Sequence, residues 1–272
     1  MFIARLATAG VLLAACVSAL LLLSNFWWTA LLLAALVVAS WEWAALSGLQ
    51  RAACGLFAGG VAASAIVVWL LVTNTAAGTS RGFAPEILIY GASCIFWSCI
   101  AVPWFAWHWQ TRSKLMLAAA GWFVLVPAWL ALARLQSDPQ QLLAVLAVIW
   151  LADTAAYLCG RAWGRHKLAP SISPAKTWEG VAGAVAAVAV YYVALSGAAP
   201  DWGWLQGVRG PALFAGVALM GVAGDLFESW MKRQAGVKDS GTLLPGHGGV
   251  LDRIDSMASS LPFAALLLPH AG

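Results

Sequence analysis

The sequence predicts an all-α polytopic integral membrane protein of about nine transmembrane helices, its N-terminus and active site facing the cytoplasm. Three observations carry this prediction. Of 272 residues, 62% are hydrophobic and 10% charged, where a soluble domain carries roughly 25% charged residues, and mean hydropathy is +0.83. The apolar residues gather in nine stretches, most of them close to the ~20 residues that cross a bilayer. The charges are uneven: residues 1–152 hold six basic and three acidic side chains, residues 153–255 hold nine and eight, and none follows Asp255. This composition excludes an ordinary soluble enzyme, a disordered chain and a disulfide scaffold. A formal net charge of +4 is too small and too dispersed for general nucleic-acid binding.

The apolar stretches run approximately over 6–23, 26–49, 55–73, 87–107, 115–133, 141–158, 181–196, 211–227 and 257–270. The first contains Leu13-Ala14-Ala15-Cys16 behind Arg5, which resembles a lipoprotein cleavage box. Apolar sequence continues through Leu23 and further spans follow at once, so it reads as a retained helix. The last three stretches are shorter and richer in Gly or Pro. Trp27, Trp28, Trp41, Trp43, Trp104, Trp107, Trp109, Trp202 and Trp204 fall near span ends, where interfacial belts place tryptophan. With the N-terminus inside, Arg5, Arg51, Arg112, Lys114, Arg161, Arg165, Lys167, Lys176, Lys232, Arg233, Lys238 and Arg253 face the cytoplasm. Only Arg81, Arg134 and Arg209 face out, in keeping with the positive-inside rule. The five cysteines lie in or beside apolar segments without a CxxC pair and read as small packing residues. Residues 1–140 read as a transmembrane scaffold and residues 141–272 as a catalytic region. A charge in hydrocarbon is costly enough that function is its default explanation.

Chemistry concentrates in two stretches assigned to the cytoplasmic side. In the first, Asp153 and Tyr157 share a helix face, four residues apart. Arg161, Arg165, Lys167 and Lys176 follow, mixed with Gly, Ser and Thr as in loops that hold phosphates. Ser173-Pro174 reads as a helix cap with Pro at the first helical position, and Glu179 complements that helix's N-terminus. In the second, Asp225, Glu228, Ser229 and Lys232 occupy one helical face. Asp252, Asp255, Ser256 and Ser259 repeat the spacing on the last helix. Two carboxylate-bearing faces can converge on a hard cation, and oxygen-only ligands favour Mg²⁺. Between them, Pro245-Gly246-His247-Gly248-Gly249 can turn sharply and present backbone N–H groups to an anion.

From Ser229 to Asp255 the chain reads Ser-x-Met-Lys-Arg, four residues, Lys-Asp-x-Gly, then Leu-Pro-x-His-Gly-Gly-Val-x-Asp-Arg-Ile-Asp. This pattern resembles the signature of the phosphatidate cytidylyltransferases, the CDP-diacylglycerol synthases, and no position in it departs. Upstream, Asp153-Thr154, Tyr157, Gly160-Arg161, Gly164, His166-Lys167-Leu168, Pro170, Ser173-Pro174, Lys176-Thr177 and Glu179-Gly180 also resemble the family. Ala175 stands where that family's pattern has a polar or basic residue, so no phosphate contact is assigned there. Over residues 1–140 the likeness is one of hydropathy alone.

The resemblance implies a reaction in which CTP and phosphatidic acid give CDP-diacylglycerol and pyrophosphate with Mg²⁺. It leaves a second, monovalent ion open, and it implies a homodimer for which no residue argues. It also implies an integral protein of the bacterial inner membrane that works in phospholipid synthesis. By this likeness Asp225 and Asp252 are the expected metal ligands, with Glu228 and Asp255 as further acidic positions. Lys232, Arg233, Lys238, Arg253 and Lys176 are expected phosphate clamps. His247, Gly248 and Gly249 are expected to line nucleotide phosphates, and Ser173 and Thr177 to contribute hydroxyls. Asp153, Tyr157, Arg161, Lys167, Ser229 and Asp239 complete the expected substrate contacts. A transporter would keep polar residues near mid-span beside broken helices, a CDP-alcohol phosphotransferase would need an Asp-Gly-x-x-Ala-Arg core, and a catalytically dead scaffold would lose its acidic positions. The sequence fits none of the three as well.

Overall fold

The computed structural model describes residues 2–78, 85–243 and 248–268. Each apolar stretch becomes helix, since only a helix satisfies every backbone N–H and C=O within a single segment in lipid. The helices are α1 (Phe2–Leu22), α2 (Asn25–Leu46), α3 (Arg51–Gly78), α4 (Pro85–Ile95), α5 (Val102–Ala106), α6 (Lys114–Leu135), α7 (Pro139–Trp163), α8 (Trp178–Ala198), α9 (Arg209–Ala235) and α10 (Leu251–Leu267). A π-helical segment, Phe96–Ala101, joins α4 to α5, so that Pro85–Ala106 forms one interrupted span. Among the described residues seven helices are long and apolar enough to cross a membrane. The remaining two apolar stretches correspond to α1 and to the 17-residue α10.

Between α7 and α8 lies a small antiparallel hairpin, β1 (Lys167–Ala169) with β2 (Ser173–Thr177), in the register Lys167↔Thr177 and Ala169↔Ser173. This corrects the helix cap expected at Ser173-Pro174. Those two residues pair in a strand, and the cap of α8 is Thr177, whose Oγ1 accepts from the Gly180 N–H at 3.1 Å. Pro174 is accommodated because a two-stranded ribbon leaves edge positions that need no N–H donor. Glu179 does stand in the first turn of α8. Its carboxylate accepts the His166 backbone N–H at 3.2 Å and meets the His166 ring at 2.6 Å.

The tryptophan belt is also only partly as expected. Trp27, Trp41, Trp107 and Trp109 are exposed, but Trp28, Trp43 and Trp104 are buried in the core. Two of those indoles find internal acceptors: Trp28 Nε1 donates to Leu132 O at 3.0 Å and Trp43 Nε1 to Leu117 O at 2.8 Å. An indole satisfied in this way needs no headgroup region for its N–H. The Trp43 ring fills the place a Cβ on Gly121 would take, which fixes α2 against α6. Trp43, Phe96, Trp97 and Trp104 then surround Phe227 of α9 at ring separations of 5.5 to 6.2 Å. The first half of the chain thereby sets the position of α9 at the turn that carries its acidic residues.

Small residues bring the second half together. A Cβ on Gly224 would strike the Asp255 carbonyl and the Ser259 hydroxyl, so α9 and α10 approach backbone to backbone there. Ser259 Oγ donates to Met220 O at 2.6 Å and Ser260 Oγ to Val217 O at 2.9 Å, crossing the same seam. On the other side, Gly180 of α8 lies against the Ala156 carbonyl of α7.

Candidate active site

A cavity of about 630 Å³ opens where α7, the hairpin, α8, α9 and α10 meet. From α7 it takes Asp153, Tyr157 and Arg161; from the hairpin, Lys167, Ser173, Lys176 and Thr177; from α9, Asp225; and from α10, Asp252 and Asp255. Ten of the expected site residues therefore share one concavity, although they come from segments up to about 100 positions apart. Ala152, Leu168, Val181 and Val222 also line it and add apolar surface. Ala175, where no polar contact was assigned, also lines the space.

The polar side is organised by ion pairing. Lys176 Nζ sits 2.5 Å from Asp225 Oδ2, with both side chains partly open to the cavity. Ser229 Oγ donates to Asp225 Oδ1 at 3.3 Å, and Ser256 Oγ donates to Asp153 Oδ1 at 3.5 Å. Asp255 Oδ1 accepts its neighbour's backbone N–H, that of Ser256, at 2.7 Å. At the mouth, Arg161 donates to the Tyr157 hydroxyl at 3.2 Å, one helical turn away. Thr177 contributes its oxygen to the α8 cap while bordering the cavity.

Asp252 is held by many partners. Its Oδ1 takes the Lys232 ammonium at 2.6 Å, and its Oδ2 accepts from Ser240 N, Ser240 Oγ and Gly249 N at 2.8 to 2.9 Å. Asp252 lies outside the seven long spans. Burial pushes its carboxyl upward, but the Lys232 hydrogen bond and the two backbone N–H donors outweigh burial and hold it at about 2. Gly248, with φ of +79°, makes the turn that brings the Gly249 N–H to this carboxylate.

Other expected residues are placed elsewhere. Glu228 is buried, and its Oε2 lies 2.5 Å from Lys232 Nζ, so both side chains are engaged behind the cavity rather than lining it. Arg233 donates from Nε to Ile172 O at 3.1 Å and ties the end of α9 to the hairpin turn. Lys238, Asp239 and Arg253 are exposed and outside the cavity lining. Gly248 and Gly249 border Asp252, and His247 lies outside the described residues.

One residue of this region belongs to no motif in the sequence. Glu42, on α2, is buried and accepts from the Val250 and Leu251 N–H groups at 3.0 and 2.8 Å. These two partners are 208 and 209 positions away, so the sequence shows a charge in an apolar stretch but not the groups it serves.

The donors suit a hard divalent cation. Asp225, Asp252 and Asp255 offer carboxylate oxygen only. Among the described residues no three acidic, histidine or cysteine side chains close into a metal cage. Carboxylate donors are of the kind that Mg²⁺ takes, one or two at a time, together with waters and substrate phosphate oxygens.

Comparison with known proteins places this geometry in context. A model described as the cytidylyltransferase family matches residues 3–270. The chain is 36% identical over 245 residues to a phosphatidate cytidylyltransferase of Pseudomonas aeruginosa, covering 86% of this chain and 85% of that one. It is 32% identical over 276 residues to one of Haemophilus influenzae, covering 95% and 96%. With one of Brucella suis it shares 39% identity over 232 residues, covering 84% and 77%.

Proposed function

The chain belongs to the cytidylyltransferase family, and from that premise we propose that it is a phosphatidate cytidylyltransferase of a bacterial inner membrane. It joins CTP to phosphatidic acid, giving CDP-diacylglycerol and pyrophosphate. A phosphate oxygen of the lipid attacks the α-phosphorus of CTP and forms the new P–O bond. The bond to the bridging oxygen of the β-phosphate breaks, and pyrophosphate leaves with the electron pair.

The observation that carries this reading is the mixed lining of the cavity. Its acidic and basic residues meet at Lys176 and Asp225, and Ala152, Leu168, Val181 and Val222 add apolar surface. That combination suits an amphiphile whose phosphate must meet a second polyanion. A lipid phosphate is already ionised near neutral pH, with a second pKa of about 6, so the site needs no strong general base. Its task is to hold two anions in line and to stabilise the charge that develops on the leaving group. Lys176 is the cation set inside the cavity, and Arg161 and Lys167 stand nearer the solvent to receive phosphates. Asp225 and Asp252 would hold Mg²⁺, with Asp255 beside them, and the ion would supply charge neutralisation on the triphosphate. Lys232 fixes the direction of Asp252 and is itself restrained by Glu228. The N-terminus and the cavity mouth face the cytoplasm, where CTP is available, in agreement with the distribution of lysine and arginine.

Purified protein in detergent tests this directly. Pyrophosphate release is followed with short-chain phosphatidic acid and CTP, UTP or ATP, each with Mg²⁺ or EDTA. Release that requires lipid, Mg²⁺ and CTP together is the expected result. A folded protein that consumes none of the nucleotides contradicts the proposal.

A further inference from the structure

We propose that Glu42 is a positioning residue for the transfer reaction, acting from the N-terminal half through Ser240 on the Asp252 carboxylate. This rests on the role given above to Asp252. Glu42 is only 6% exposed, and both of its oxygens are engaged. Oε1 accepts from Val250 N at 3.0 Å, and Oε2 accepts from Leu251 N at 2.8 Å and lies 3.2 Å from Ser240 Oγ.

Two features show a seat built around this carboxylate. α10 has no side-chain cap of its own at Val250, so its first N–H groups would be orphaned without an acceptor from elsewhere. Glu42 supplies that acceptor from α2, and its negative charge suits the positive end of the helix. The surrounding chain also closes on it at glycines. A Cβ on Gly249 would meet Ser240 Oγ and Glu42 Oε2, and one on Gly241 would meet Glu42 Oε1.

Ser240 connects the two acids. Its Oγ lies 3.2 Å from Glu42 Oε2 and 2.9 Å from Asp252 Oδ2. A hydroxyl has one proton to donate, so the position of one carboxylate bears on the hydrogen bond available to the other. Glu42 itself is held firmly, since the adjacent Trp43 is locked into the notch at Gly121. The carboxylate assigned above to the metal thus takes its placement partly from a helix that lines no part of the cavity.

The test uses the full-length protein in detergent and compares Glu42→Gln, Ser240→Ala and Glu86→Gln. Glu86 is a second buried acid of the N-terminal half, paired with Arg134 at 3.3 Å away from the cavity. In Glu42→Gln the side-chain shape is kept, but an amide N–H₂ group replaces one acceptor. Its kcat per folded molecule is expected to fall about tenfold or more, as small misplacements of reacting groups commonly cause. Its KM for phosphatidic acid is expected to stay within about twofold, because the interaction lost is not a lipid contact. Amide hydrogen exchange at residues 249–252 should quicken in the same variant. Glu86→Gln is expected to lower the unfolding temperature while keeping kcat per folded molecule and exchange at 249–252. If Glu42→Gln does not accumulate folded, Ser240→Ala, a smaller change, is expected to show the same direction in kcat and exchange. Wild-type kcat and exchange in folded Glu42→Gln would overturn the inference whatever Ser240→Ala shows, as would an equal loss of kcat in Glu86→Gln. A wild-type protein without cytidylyl transfer would contradict the proposed activity instead, and the exchange measurement would still decide the role of Glu42.

Discussion

The pair Glu86–Arg134 and the pair Lys176–Asp225 both join separate elements of the bundle, and they are put to different uses. The first, at 3.3 Å, has its carboxylate almost wholly enclosed between α4 and α6. The second, at 2.5 Å, has both partners partly open to a 630 Å³ cavity. An ion pair away from water does not by itself mark a reactive site. What separates these two is access, together with further carboxylates, Asp153, Asp252 and Asp255, lining the same space. The N-terminal half pairs several of its polar groups internally, as in Trp28 with Leu132 and Gln136 with Leu20 and Leu23, while the buried indole N–H groups of Trp97, Trp104 and Trp129 have no acceptor among the described residues. The C-terminal half leaves some of its polar groups facing a space a substrate can enter.

That contrast can be broken by mutation. The largest effect is expected at the cavity. Asp225→Asn or Asp252→Asn should lower turnover by about 10²-fold or more, the scale of removing a transition-state electrostatic contact. Steady-state pyrophosphate release on protein verified as folded measures it; a folded, fully active Asp252→Asn would contradict the metal assignment. Lys176→Ala should follow, with a loss of about tenfold or more in kcat/KM for CTP as a charged phosphate partner disappears. At the helix seam, Gly224→Ala sets a methyl group against the Asp255 carbonyl. It should cost about 1–3 kcal/mol of stability by overpacking, and activity should fall with it because Asp225 and Asp255 are displaced; thermal unfolding and turnover in one preparation check both. Glu86→Gln should cost about 2 kcal/mol, less than the ~3–5 typical of breaking a fully buried pair, since Arg134 keeps some exposure. Its turnover per folded molecule should remain that of the wild type. A turnover loss there as large as at Asp225 would erase the distinction between the two regions.

The spans were legible because lipid enforces one solution for the backbone, so hydropathy alone finds segments such as Asn25–Leu46 and Lys114–Leu135. The direction each segment faces was not. α2 and α6 are apolar on all sides, and no stripe told Trp43, which is buried, from Trp41, which is exposed. The strand at Ser173–Thr177 was missed because local cap chemistry at Ser173-Pro174 competes with pairing to Lys167–Ala169, and pairing is not written locally. The cavity residues stood out because charges in an apolar chain are costly. The same signal grouped Glu228 and Lys232 with the reactive residues, although the fold turns them toward each other. Glu42 carries the same signal, but no motif surrounds it. Its meaning lies in backbone N–H groups 208 and 209 positions away, and sequence spacing cannot report those.

A cavity that directs a lipid phosphate onto the α-phosphorus of CTP must transfer the α-phosphate to the lipid and release the other two. Following the label from α-³²P-CTP and from γ-³²P-CTP, in parallel incubations with phosphatidic acid and Mg²⁺, tests this most directly. The expected result is α-label in the lipid fraction and γ-label in released pyrophosphate. γ-Label in the lipid, or no label there from either nucleotide while the protein stays folded, would contradict it.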